Sequence, residues 1–207
     1  MGYLVIRGIS LSEQPYLGIL AAQFALGLKR ARLYKMIQEL AITDSVTGLF
    51  TRRYAMERLN EEFLRTQAHH LPLSILMIDA DNFKECNDKF GHLVGDMVLN
   101  EIGRRIREIV REVDMVARFG GEEFLVFAPN TSKESAYLFA ERIRRSIEGS
   151  FIRAYDEKVH LTVSVGLATY PQDTVHCQDL IEKSDQALYQ AKKSGKNKVC
   201  IFGSLHE

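Results

Sequence analysis

No surplus of charge of either sign runs through these 207 residues: 27 Lys and Arg are matched by 27 Asp and Glu, for a formal net charge of zero. A balanced chain has no whole-molecule field drawing it to nucleic-acid polymers or to an anionic membrane surface, so any anion site must be local. Cysteine is scarce. Cys86, Cys177 and Cys200 are odd in number and lack metal-ligand spacing, which suits reduced thiols in a cytoplasmic protein and assigns them no chemistry. No apolar run approaches the ~20 residues that span a bilayer, and Met1 to Ser10 lacks the basic start and long apolar stretch of a signal peptide. A chain with no membrane partner and a cytoplasmic location is therefore expected. A Gly-rich Walker loop, internal repeats and low-complexity tracts are also missing. His69 and His70 sit in a polar loop without a third ligand, so they read as exposed, and His92 reads as a turn residue beside Gly91. The length suits one domain with an appendage.

What is present divides near Thr43. Gln14 to Ala41 has no proline after Pro15 and is rich in Ala, Leu, Gln, Lys and Arg, which predicts one long helix with Pro15 in its first turn. Ile19, Ala22, Leu26, Lys29, Leu33, Met36 and Leu40 follow the three-four spacing of a coiled-coil seam. Two readings stay open: a parallel dimer stalk, or an amphipathic helix packed on its own domain. Tyr3 to Ile9, apolar and β-branched, reads as a strand, and strand followed by helix resembles the end of a GAF-type sensor. Residues 1–42 are thus expected to be a remnant and linker, and 43–204 the domain.

Within that domain, Arg52 to Thr66 has helical periodicity and His69-His70-Leu71-Pro72 closes it. Leu73 to Ile78 is a short run, apolar but for Ser74, of the kind buried in a sheet centre, ending abruptly at Asp79-Ala80-Asp81. Further on come a helix from about Gly95 to Arg111, strands over 115–119 and 123–127 around Gly120-Gly121-Glu122, and a helix over 132–147. An alternating strand over 159–169, a helix over 180–193 and a last strand over 198–202 complete the chain. Helices interleaved with a hairpin-containing sheet predict an α/β (α+β) sandwich, its sheet mixed and largely antiparallel, rather than a doubly wound parallel sheet. Tyr137, Phe139 and Tyr189 read as core.

A strand that delivers Asp79 at its end, and a hairpin tip bearing Glu122 and Glu123, can set carboxylates side by side at one sheet edge. Magnesium prefers one or two carboxylates with water and substrate phosphates, so Asp79 with Glu122 suits phosphate chemistry. Gly120 and Gly121 would adopt turn dihedrals freely and let a triphosphate approach the backbone. An ordinary hairpin with solvated acids fits the composition equally well.

Arg118-Phe119-Gly120-Gly121-Glu122-Glu123-Phe124 resembles the signature of the GGDEF family, with Glu in the variable acidic position. Other segments resemble the family's motifs in order: Asp44-Ser45-Val46-Thr47-Gly48-Leu49, Asp79 to Lys84, Asn87-Asp88, Phe90-Gly91-His92, Gly95-Asp96, Ser164-Val165-Gly166, and Asp185 to Lys192. The resemblance runs from about Thr43 to Phe202. It implies a nucleotidyl-cyclase fold, like a polymerase palm, and a diguanylate cyclase that condenses two GTP into cyclic di-GMP and two pyrophosphates.

By position, the resemblance gives Asp79, Glu122 and the carbonyl of Ala80 two magnesium ions, with manganese as a possible substitute. Glu123 is a further ligand or assists deprotonation of the hydroxyl. Asn82, Phe83 and Lys84 meet the triphosphate, with Gly120 and Gly121 beside it, and Lys192 and Lys196 finish the clamp. Relatives often carry Arg where Lys196 stands, so the charge is kept and the bidentate fork lost. Asn87 and Asp96 read the base. A carboxylate accepts from the N1 and N2 donors of guanine, whereas adenine offers an acceptor at N1. Arg111-Glu112-Val113-Asp114 matches an inhibitory product site, with Arg142 supporting; chemistry alone favours an ordinary i,i+3 ion pair on a helix end, and it is the matched register that points to the inhibitory site. A homodimer is implied, because each domain would hold one GTP. Two rivals remain: an idle domain that senses cyclic di-GMP, and a cyclase making a mixed dinucleotide.

Overall fold

The computed structural model describes residues 14–40 and 42–203, which fall into two compact units divided between residues 41 and 42. The described residues of the first unit form one helix, α1 (Gln14–Leu40), 27 residues long. Ile19, Leu26, Leu33 and Met36 on its seam are about half exposed, but so are Leu20, Phe24, Leu28 and Ile37 off the seam. Apolar surface therefore wraps the helix instead of forming one stripe. The strand expected over Tyr3 to Ile9 lies outside the described residues.

The second unit runs β1 (Phe50–Thr51), α2 (Arg52–His69), β2 (Leu73–Ala80), α3 (Phe83–Phe90), α4 (His92–Ile109), β3 (Met115–Arg118), β4 (Glu123–Pro129), α5 (Lys133–Glu148), β5 (Ile152–Ala154), β6 (Glu157–Val159), β7 (Val163–Tyr170), α6 (Cys177–Lys193) and β8 (Val199–Ile201). Six strands make one sheet in the order β1-β3-β4-β2-β7-β8, and β5 with β6 form a separate hairpin. The three central pairings, β3 with β4, β4 with β2 and β2 with β7, are antiparallel, and the outer pairs β1 with β3 and β7 with β8 are parallel. The fold is the mixed α+β sandwich expected from the sequence.

Alternation along β2 sorts the two faces. Leu73, Ile75 and Met77 pack with Ala55, Leu59 and Phe63 of α2 and with Leu180 and Leu188 of α6. Leu76, Ile78 and Ala80 pack with Val98, Leu99 and Ile102 of α4 and with Ala140 and Ile143 of α5. Both faces are covered, which is why the strand reads as an apolar run interrupted only by Ser74. By the same parity Asp79 belongs to the α2/α6 face.

Several local expectations change. β7 begins at Val163, not Val159, and all eight of its residues are buried, so the expected alternation is replaced by burial on both faces. Val159 instead closes β6 opposite Ile152. α4 starts three residues before Gly95, and α3, β1 and the β5-β6 hairpin are elements the periodicity did not announce. Tyr137 and Tyr189 are 37% and 52% exposed, so only Phe139, at 6%, is core. His69 and His70 are exposed as expected, while His92 is the first residue of α4.

Candidate site at the end of the central strand

Asp79 sits near the C-terminal end of β2, directly opposite Glu123 on β4 and Ser164 on β7. Directly opposed residues in an antiparallel pair project to the same face, so two acids face each other across strands where like charges repel. Asp79 is only 6% exposed. Burial pushes its carboxyl up to about 6, the Lys192 hydrogen bond and charge pull the other way, and Glu122 and Glu123 raise it further. Lys192 of α6 brings its Nζ to 2.7 Å from Asp79 Oδ2.

Gly166 explains how α6 comes close enough. A Cβ there would lie 2.0 Å from the Ser184 carbonyl oxygen and 2.2 Å from the Leu188 nitrogen. The helix backbone therefore rests on the β7 backbone itself, and Lys192, one turn beyond Leu188, arrives above Asp79.

The hairpin tip is held from outside. Arg118 donates through Nε and Nη2 to the Gly121 carbonyl at 3.1 and 2.8 Å, and through Nη1 to both Asp44 carboxylate oxygens at 3.2 and 3.3 Å. Asp44 in turn accepts from the Val46 and Thr47 amides and the Thr47 hydroxyl. Burial opposes ionisation of Asp44, but the Thr47 bonds and Arg118 together hold its carboxyl below the usual range. The tip's own amides close on one acceptor, with Phe119 and Gly120 both donating to the Glu123 carbonyl. Neither Gly120 nor Gly121 has a positive φ, so turn dihedrals are not what calls for glycine here. A Cβ on Gly120 would lie 2.5 Å from Glu123 Oε2, and one on Gly121 would meet open space.

Beyond β2 the chain turns at Asn82, in the left-handed region at φ 58°, and enters α3 without a side-chain cap. The first amides of α3, from Phe83 onward, are thus donors without helical acceptors, a ready anion site. Lys84 in this first turn is exposed. Lys196 Nζ donates to Asn82 Oδ1. Between α3 and α4, the buried Asn87 Oδ1 has no hydrogen-bond partner among the described residues and lies 1.9 Å from where a Gly95 Cβ would be. Asp96, the next residue, is exposed.

Asp81, 4% exposed, is fully engaged. It accepts from the Thr162 and Ser164 hydroxyls at 2.7 Å each and from the Asn197 amide at 3.0 Å. It holds the loop rather than facing a ligand.

A second cluster lies away from this edge. Arg111 donates through Nε and Nη2 to the two oxygens of Asp114 at 3.1 and 2.8 Å, and through Nη2 to the Thr131 hydroxyl at 2.6 Å. The pair spans the turn between α4 and β3 rather than a helix end. Arg142 of α5 joins Arg111, Asp114 and Thr131 around a groove of about 160 Å³.

Sequence reasoning thus named residues that the fold gathers at two places. The anchors Arg118, Asp81 and Gly166 were quoted only inside motifs, without a physical task. A buried acid two residues beyond another, and a glycine in a β-rich run, are signals that only packing interprets.

Among the described residues, no group of three or more His, Cys, Asp or Glu side chains forms a ready metal cage. Asp79 with the neighbouring Glu122 and Glu123 nevertheless suits a hard cation that completes its shell with phosphate and water, and such a cation would relieve their repulsion.

Residues 41–198 match the family described as Diguanylate cyclase, GGDEF domain. The chain is 39% identical over 166 residues to Diguanylate cyclase A of Treponema denticola, covering 79% of this chain and 45% of that one. It therefore spans less than half the length of that relative. Among solved structures it is similar to a truncated TpbB (YfiN) of Pseudomonas aeruginosa comprising only the GGDEF domain, with TM-score 0.75, 37% identity, and coverage of 77% of this chain and 94% of that one. It is also similar to the GGDEF domain of DgcB from Caulobacter crescentus in complex with c-di-GMP, with TM-score 0.74, 28% identity, and coverage of 79% and 94%. The match over most of the chain and the identity to the Treponema denticola relative show that the chain belongs to the GGDEF domain family of diguanylate cyclases.

Proposed function

We propose that this chain condenses two GTP molecules into cyclic di-GMP and two pyrophosphates. The observation that carries the reading is Asp79: a buried acid, opposed by Glu123, neighboured by Glu122 and reached by Lys192, at the sheet edge where α3 presents its free amides. Asp79, Glu122 and the Ala80 carbonyl would hold magnesium, two ions per site, with manganese as a substitute. The bound metal supplies charge stabilisation across the phosphates as displacement proceeds.

The protein's own groups do the rest. Phe83 and its neighbouring amides receive phosphate oxygens, and Lys84, Lys192 and Lys196 close on the same charge. Gly121 leaves open space beside the tip, and Gly120 leaves room for the Glu123 carboxylate. Glu123 is a further ligand or the acceptor of the hydroxyl proton. Asn87 and Asp96 read guanine, the unpartnered Asn87 oxygen being available to a base donor. Each 3′-oxygen forms a bond to the other nucleotide's α-phosphorus, the bond to the bridging oxygen of pyrophosphate breaks, and the hydroxyl proton is lost.

Two domains must therefore face each other. Pairing of a second copy along α1, whose apolar residues are exposed, would raise the effective concentration of the partner site. Product would bind back at Arg111, Asp114 and Arg142 and inhibit, as the groove they share supports. A receptor lacking turnover is the second reading, favoured by that same groove.

Incubation with GTP and magnesium, followed by chromatography of the nucleotides, tests this. Cyclic di-GMP from the wild type and none from Glu122→Ala is the expected result. A mixed product from ATP plus GTP would overturn guanine selection by Asp96. Silence after stripping bound product and enforcing dimerisation would leave the receptor.

A further inference from the structure

Lys196 reaches Asn82 from an unusual backbone. Three successive residues, Gly195, Lys196 and Asn197, have positive φ of 107°, 60° and 48°. For lysine the left-handed region costs roughly 1 kcal/mol, and residues persist there only when their surroundings over-determine them. The Lys196 amide donates to the Ala191 carbonyl at 3.0 Å. Further restraint comes from its neighbour. Asn197 donates its backbone amide to Asp81 Oδ2 at 3.0 Å, donates Nδ2 to Glu148 Oε1 at 2.6 Å and accepts Arg144 Nη1 on Oδ1 at 2.7 Å.

An asparagine amide suits this set of bonds. Arginine only donates and a carboxylate only accepts, so residue 197 must present a donor and an acceptor from one short side chain. It must also tolerate the left-handed region, where asparagine is enriched. The partners are themselves fixed: Arg144 is tied to Glu141 at 3.0 Å and Glu148 at 2.8 Å, and Asp81 is held by Thr162 and Ser164.

We infer that Asn197 is a positioning residue: it clips the turn after α6 to the end of α5 and to the Asp81 loop, and so aims the Lys196 ammonium at the phosphate-binding start of α3. The inference rests on the nucleotide site proposed above and adds to it a residue that touches no substrate.

The test is binding, not turnover. Affinities of the full chain, with magnesium, are measured for a GTP analogue with a methylene between the α- and β-phosphates and for guanosine, which has no phosphates. Asn197→Gly keeps the backbone freedom and the amide to Asp81 while removing both side-chain bonds. It is expected to weaken the analogue roughly tenfold and leave guanosine unchanged. In a Lys196→Ala background, Asn197→Gly should add nothing further. Should Asn197→Gly lose its cooperative unfolding transition, Arg144→Gln is used instead, with the same selective loss expected. Additive losses in the double variant, or equal loss of guanosine, overturn the inference alone. No binding of either ligand by the wild type overturns the nucleotide site, and the inference with it.

Discussion

Arg118 and Asp44, 74 residues apart in sequence, form an ion pair at 3.2 Å, and the same guanidinium holds the Gly121 carbonyl. The turn that opens the domain and the tip that carries the acidic residues are thereby one mechanical piece. Arg118→Ala should free the tip and leave Asp44 without its cation. A loss of about 1–3 kcal/mol in stability is expected from urea unfolding, with a larger fall in cyclic di-GMP synthesis than Tm alone explains. Arg118→Lys should rescue little, because an ammonium cannot fork between the two acceptors.

Gly166→Ala puts a methyl group within about 2 Å of the α6 backbone. Backbone cannot rotate away as a side chain can, so α6 must lift. We expect destabilisation at or above the ~1–3 kcal/mol usual for overpacking, and loss of the Lys192 to Asp79 contact. An unchanged urea midpoint would mean that α6 does not rest on β7 as described.

At the second cluster the two arginines should behave differently. Asp114 is 4% exposed, so Arg111→Ala leaves a buried carboxylate short of donors and should cost about 1–3 kcal/mol as well as weaken inhibition. Arg142 is exposed on α5, over the Phe139 ring at 5.9 Å. Arg142→Ala should raise the concentration of added cyclic di-GMP needed for half inhibition severalfold while leaving Tm within about a degree, a surface change. Inhibition curves run beside thermal melts separate the two cases.

Acid should weaken the fold through α4. Arg104 grips Glu101 with two bonds of 2.7 Å and, against the opposing effect of burial, Arg105 adds one of 2.9 Å, holding the carboxyl down to about 2 from 4.5. A depressed folded value means stability that is fully present above the ordinary 4.5 and is lost as pH falls towards 2. Urea midpoints should fall across that window. Glu101→Gln should flatten the fall; a fall of the same size in that variant would assign it to other carboxylates.

The legible parts of this fold were those where one physical demand dominates. Leu73 to Ile78 had to be a covered strand because no polar residue interrupts its apolar core except Ser74, and that hydroxyl is spent on the Thr131 carbonyl and Thr169. The hairpin around Gly120 and the long helices were legible likewise. α3 was not: eight residues are too few for periodicity, and its start depends on a left-handed Asn82 that nothing local requires. The β5-β6 hairpin escaped because its strands are three residues long and its turn uses Tyr155 at φ 54° instead of glycine. Of the site, residue identities were legible and the supports were not. Asp81 stands in the same motif as Asp79, yet one faces the acidic edge and the other is consumed by Thr162, Ser164 and Asn197.

That contrast has a consequence for how such a chain can change length. Asp79 reaches its partners only because an even number of steps separates it from Leu73, Ile75 and Met77 on the α6 side of β2. Adding or deleting one residue between Leu73 and Asp79 would put the carboxylate and the apolar residues before the change on opposite layers, unless a bulge absorbed the step. The site thus inherits an arithmetic parity from the strand that carries it.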